Sequence, residues 1–126
     1  MMNNLLQYII EYVIVSFVLG VVWHLALFSQ YYKRLAIYSR LENPLFIFGL
    51  SSMLIQGVVF AYVYPLVGNA IVFGVGLFLT LVSFMVFAEA GKQNTTSLSG
   101  FVLIQLLFSF VQALLVTLVF SIIPIW

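Results

Sequence analysis

Four apolar runs, each long enough to cross a bilayer as a helix, dictate what this chain can become. A hydrocarbon core about 30 Å thick needs roughly 20 helical residues. The runs fall at about 5–28, 45–66, 70–88 and 100–123. They are rich in Val, Ile and Phe, which in water would favour strands. In lipid the backbone must satisfy its own hydrogen bonds, so helix overrides propensity. A transmembrane barrel needs alternating polar and apolar residues. Runs such as LVSFMVF do not alternate. The expected fold is therefore an all-α integral membrane protein. Its four transmembrane helices form an up-down bundle, a single domain over residues 1–126.

Composition points the same way. Of 126 residues, 65% are hydrophobic and 6% charged, against roughly 25% charged in soluble domains. Mean hydropathy is +1.26. A net charge of +1 draws no nucleic acid, and none is expected as a partner. The absence of cysteine excludes disulfides, thiolate catalysis and cysteine-ligated metals. One histidine and three carboxylates are too few for a dense metal site in one chain, so no metal or cofactor is expected. The opening MMNNLLQYIIEYV has neither a basic n-region nor a small-x-small cleavage site. The first run is thus expected to stay in the mature protein.

The cations set the direction of threading. Lys33, Arg34 and Arg40 lie in the first connection and Lys92 in the third. With four spans those connections share a side, which the positive-inside rule makes cytoplasmic. The 29–44 and 89–99 connections are expected inside and both termini outside, in a bacterial inner membrane. Trp126 and the tyrosines near Pro65 suit an outer aromatic belt. Asn94-Thr95-Thr96 is formally a glycosylation acceptor, but this topology leaves it unused.

Polar residues inside the runs recur at helical spacing. On a wheel of roughly 100° per residue, Gln105, Ser109 and Gln112 share a face. So do Gly49, Ser52 and Gln56, then Gly76, Thr80 and Ser83, and finally Ser16, Gly20 and His24. Small residues let helices approach, and polar side chains bond across the contact. The four stripes are expected to meet inside the bundle or at an oligomer seam. The tripeptide LIQ ends at both Gln56 and Gln105, and FVLGVVWHLALF can be laid over FGVGLFLTLVSF. Convergence among few residue types explains this more simply than duplication.

Intramembrane ionisable groups are costly and usually functional. Glu11, His24, Gln56, Gln105 and Gln112 are the candidates for an intramembrane polar site or proton relay. Glu11 has no Lys or Arg on its side of the membrane. His24 is about 20 Å from Glu11 along the same helix, too far to pair with it. Its expected neighbours are Gln105 and Ser52. Glu89, Lys92, Gln93 and Asn94 read as a solvated loop. No catalytic set or phosphate loop is evident, and an enzyme is not expected.

After His24 the chain reads SQYYKRLAIYSRLENP, too polar to continue the span. Phe28, Tyr31, Tyr32, Leu35 and Tyr38 recur at helical spacing, with Lys33 and Arg34 between them. A short interfacial helix is expected here, stopped by Asn43-Pro44. Tyr31, Tyr32 and Tyr38 would sit at headgroup depth, with Lys33, Arg34 and Arg40 toward anionic lipid. This segment is the candidate lipid-headgroup or interfacial anchor.

The run F-x-x-G-x-x-W-H-x-x-x-F followed by YYKRL resembles the start of a group of small bacterial four-helix membrane proteins of unknown function. Gly20, Trp23, Phe28 and Tyr32 carry the match, about a fifth of the chain, and His24 stands where an aromatic is more usual. The resemblance implies a bacterial-type topology and no particular activity.

Three functions fit these residues. The first is an accessory, scaffold or assembly component that self-associates or packs on a larger membrane complex. The second is an oligomeric channel or transporter for protons or a small solute. The third is a lipid or hydrophobic-ligand binding protein. The first leads because apolar bulk dominates and ionisable groups are few.

Overall fold

The computed structural model describes residues 2–35, 46–92 and 95–122, with side chains from Leu5 onward. Tyr38, Arg40, Asn43, Pro44, Gln93, Asn94 and Trp126 lie outside the described residues.

Every regular element among the described residues is helical. Helix α1, Met2–Val21, runs on into a π-helical segment, Val22–Leu27, which ends at Phe28. The short helix α2 follows at Ser29–Leu35. Helix α3 is Phe46–Val67, and α4, Ala70–Leu81, continues as a second π-helical segment, Val82–Ala88. Helix α5 is Leu98–Ile122. Four spans are long and apolar enough to cross a membrane: Leu5–Leu27, Phe46–Val67, Ala70–Ala88 and Leu98–Ile122. Where both flanks of a helix end are described, the apolar runs lie within two residues of it. The protein is an all-α, multi-pass membrane bundle.

The turn between α3 and α4 shows why the spans stop where they do. Pro65 sits in the last turn of α3 and, lacking an N–H, weakens the helix there. Gly68 then takes φ 71°, a left-handed conformation that suits glycine. Asn69 caps α4, its side chain accepting from the Val72 amide at 3.1 Å.

The four long helices pack in a ring. Helix α1 lies between α3 and α5, and α4 closes the ring against the same two. Gly57 brings α3 close to α1; a Cβ there would lie 3.4 Å from the Ile9 carbonyl. At the Pro65 end, each long helix supplies one ring to an aromatic cluster: Tyr8, Tyr64, Phe73 and Phe120. Tyr8 and Phe120 have centroids 4.8 Å apart, and Tyr64 and Phe73 5.0 Å. The opposite end is filled by Trp23, Tyr32, Leu35, Phe101, Ile104 and Phe108.

At that opposite end the first and third connections are clasped together. The Leu35 carbonyl accepts from the Thr96 amide at 3.1 Å and from Thr95 Oγ1 at 2.7 Å. The Arg34 carbonyl accepts from Thr96 Oγ1 at 2.6 Å. These bonds tie the last described carbonyls of α2 to the start of the segment before α5. They also put both cation-bearing connections on one side, as an up-down bundle requires.

Candidate functional site: polar networks within the bundle

Helix α1 carries a ladder at four-residue spacing: Tyr8, Tyr12, Ser16, Gly20 and His24. Tyr8, Tyr12 and Ser16 are buried, with Tyr12 and Ser16 fully so. The Tyr12 hydroxyl donates to Gln56 Oε1 at 2.7 Å, and Gln56 Nε2 donates to Ser52 Oγ at 3.1 Å. From α5, Gln112 Nε2 donates to Ser16 Oγ at 3.0 Å. The Ser16 and Gln112 side chains lie close enough to interact with the Tyr12 hydroxyl. This middle network therefore joins α1, α3 and α5. It gathers two of the expected intramembrane residues, Gln56 and Gln112.

A second network lies toward α2. Trp23 Nε1 donates to the Tyr32 hydroxyl at 3.0 Å, and that hydroxyl in turn donates to Gln105 Oε1. His24 Nδ1 donates to the Gly20 carbonyl at 2.9 Å, and the imidazole also bonds the Gln105 side chain. Its ring lies 4.7 Å from Tyr32 and 4.9 Å from Phe108. Gln105 is thus the expected neighbour of His24. Ser52, expected beside it as well, is exposed on α3 and serves Gln56.

Two expectations need correction here. Tyr32 is 1% exposed, so its side chain packs into the bundle core and does not face lipid headgroups. His24, expected to face the bundle stripe with Ser16 and Gly20, also packs against Tyr32. Both corrections have one cause. A π-helical segment uses more residues per turn than an α-helix. The register of α2 is therefore offset from the one a continuous α-helix would give, and Phe28 packs against Trp23.

The remaining anchor residues fit an interface. Lys33 and Arg34 are exposed, and Arg34 stands 5.5 Å from the Tyr31 ring centroid. Tyr31 donates to the Gly100 carbonyl at 3.1 Å, fastening α2 to the start of α5. Tyr38 and Arg40 belong to the residues not described.

Glu11 stands apart from both networks. Gln7 Nε2 donates to its Oε2 at 3.0 Å, while Oε1 is buried without a partner among the described residues. Gln7 is itself 1% exposed and was not singled out from the sequence. Its spacing of four from Glu11 was the available signal. Among the described residues no three His, Asp or Glu side chains gather to hold a metal.

The stripes divide. Those of α1 and α5 face inward, as Ser16, Gln105, Ser109 and Gln112 are all buried. Those of α3 and α4 do not, apart from Gln56, which reaches Tyr12. Gly49, Ser52, Gly76, Thr80 and Ser83 are exposed. Phe60 and Tyr64 of α3 meet Phe73 of α4. On each helix the exposed stripe lies on that same flank by the roughly 100° rotation per residue. The two stripes therefore border one face of the bundle. A separate groove of about 430 Å³ runs between α4 and α5, lined by Gly74, Phe78, Phe110, Ala113, Leu114 and Thr117 among others. No protein-family model, curated protein or solved structure matches the chain.

Proposed function

We propose that this chain is an accessory or scaffold component of a membrane assembly, acting through helix association. The observation that carries this is the exposed small-and-polar face of α3 and α4. Thr80 Oγ1 donates to the Gly76 carbonyl at 2.8 Å, and Ser83 Oγ to the Thr80 carbonyl at 2.8 Å. Hydroxyls bonded to their own helix in this way tolerate lipid, and their lone pairs stay open to a partner. Small residues beside them allow close backbone approach. A second copy presents the same face, so a two-fold pairing would satisfy both stripes at once.

The setting that goes with this function is the bacterial inner membrane. Both termini lie outside, and the 29–44 and 89–99 connections lie in the cytoplasm. The positive-inside rule supports that orientation, as does the resemblance to small bacterial four-helix membrane proteins.

Cross-linking tests the association. The chain has no cysteine, so Thr80→Cys introduces a single thiol. Oxidation in native membranes should trap a disulfide-linked dimer. Leu107→Cys, exposed on the far side of α5, should not cross-link. Equal cross-linking of the two, or none at Thr80→Cys, contradicts the proposal.

The α4–α5 groove supports a second function, binding of a lipid chain or another hydrophobic ligand. Ala70→Phe, which fills the groove, should then reduce copurifying lipid. A channel or transporter draws less support. The aromatic cluster of Tyr8, Tyr64, Phe73 and Phe120 closes one end of the single bundle.

A further inference from the structure

Ser109 occupies the gap between the two polar networks. Gln105, Ser109 and Gln112 follow one face of α5 over about 10 Å. Gln105 belongs to the network of Tyr32 and His24, and Gln112 to that of Ser16, Tyr12 and Gln56. Ser109 and Gln112 are both fully buried. Yet Ser109 Oγ and Gln112 Oε1 make no hydrogen bond among the described residues.

These two atoms are chemically matched to one ligand. Gln112 Nε2 already donates to Ser16, which fixes Oε1 as an acceptor in need of a donor. The Ser109 hydroxyl needs an acceptor and can itself accept. Side chains three apart on a helix are neighbours, with Cβ atoms about 5–6 Å apart. One small molecule that both donates and accepts can bridge two such side chains. Buried polar groups of this kind are characteristically bridged by water, whereas apolar cavities stay dry.

We propose that Ser109 and Gln112 form a water-binding site in the membrane interior, and that its water joins the two networks into one hydrogen-bonded track. The water accepts the Ser109 proton and donates to Gln112 Oε1. Its second proton is left for Gln105, one turn away. The track then runs from Trp23 and His24 to Gln56 and Ser52. It stops short of the aromatic cluster at the Pro65 end, so it is a blind polar track and not a pore.

Water-to-protein polarisation transfer in solid-state NMR tests the site, using the full chain in lipid bilayers with labelled glutamine. In the wild type, the Gln112 side-chain amide should receive magnetisation from water. Ser109→Val replaces the hydroxyl with a methyl group, adds a second methyl at Cβ, and should abolish most of that transfer. Ser109→Thr, which keeps the hydroxyl, should retain it. Ser121→Val, on the exposed surface of α5, should leave it unchanged. A Gln112 amide that stays dark in the wild type, while exposed Gln30 receives transfer, overturns the proposal. So does undiminished transfer in a folded Ser109→Val. If that variant fails to fold, Ser109→Ala takes its place with the same expectation.

Discussion

Tyr12 donates its phenolic proton to Gln56 Oε1 at 2.7 Å, fixing α3 against α1 within the bundle. Tyr12→Phe leaves the glutamine carbonyl without that donor. The expected loss is about 0.6–2 kcal/mol, the range for hydrogen bonds between membrane helices. Gln56→Leu should cost a similar amount. The double variant should cost less than the sum of the two, because one shared bond is lost in both. Unfolding by denaturing detergent measures all three.

Tyr32 gives the corresponding bond in the second network, again from a tyrosine to the glutamine of an LIQ tripeptide. Its hydroxyl is also the acceptor for the Trp23 indole. In a Trp126→Phe background, Trp23 is the sole tryptophan. Tyr32→Phe should then shift its emission to the blue, since the indole N–H loses its partner. Lys33→Ala, at an exposed neighbour, should not. An unchanged spectrum in Tyr32→Phe would return Tyr32 to the interface.

The span boundaries were legible because an uninterrupted apolar run has few alternatives in lipid. Polar atoms confined to such a run must face something, so the inward stripes of α1 and α5 were legible too. The π-helical segments were not. VWHLAL and VSFMVFA have the same composition as the α-helices around them, and no residue marks the change of pitch. That is why Tyr32 and His24 were assigned to different environments. Which of the stripes turn outward was not legible for another reason. A helical wheel says which residues share a face, but it cannot say what the face meets. Tyr12 could have been found, because the spacing of Ser16, Gly20 and His24 continues back through it.

Glycine governs the contact between α4 and α5. A Cβ at Gly74 would lie 3.0 Å from Thr117 Oγ1, tighter than a relaxed contact. Gly74→Ala should therefore destabilise the bundle by about 1–3 kcal/mol, the usual range for overpacking. Adding Thr117→Ala removes the clashing atom and should recover most of the loss. Melting of the three variants in one detergent checks this, and failure of the second substitution to rescue would place the strain elsewhere.

Threading is open to a direct check because the chain lacks cysteine. Ser97→Cys and Val67→Cys place single thiols at opposite ends of the bundle, both at exposed positions. In intact bacterial cells an impermeant thiol reagent should label Val67→Cys. Ser97→Cys should react only after lysis. The reverse pattern would invert the orientation drawn from Lys33, Arg34, Arg40 and Lys92.

The central claim is that this bundle associates through the α3–α4 face. Native mass spectrometry from lipid nanodiscs tests it most directly, by counting chains of 14.2 kDa. The wild type should appear at twice the chain mass. Thr80→Leu combined with Ser83→Leu should reduce it to the monomer without loss of helicity. A wild type that is monomeric throughout, or an oligomer that survives the double substitution unchanged, would contradict the account.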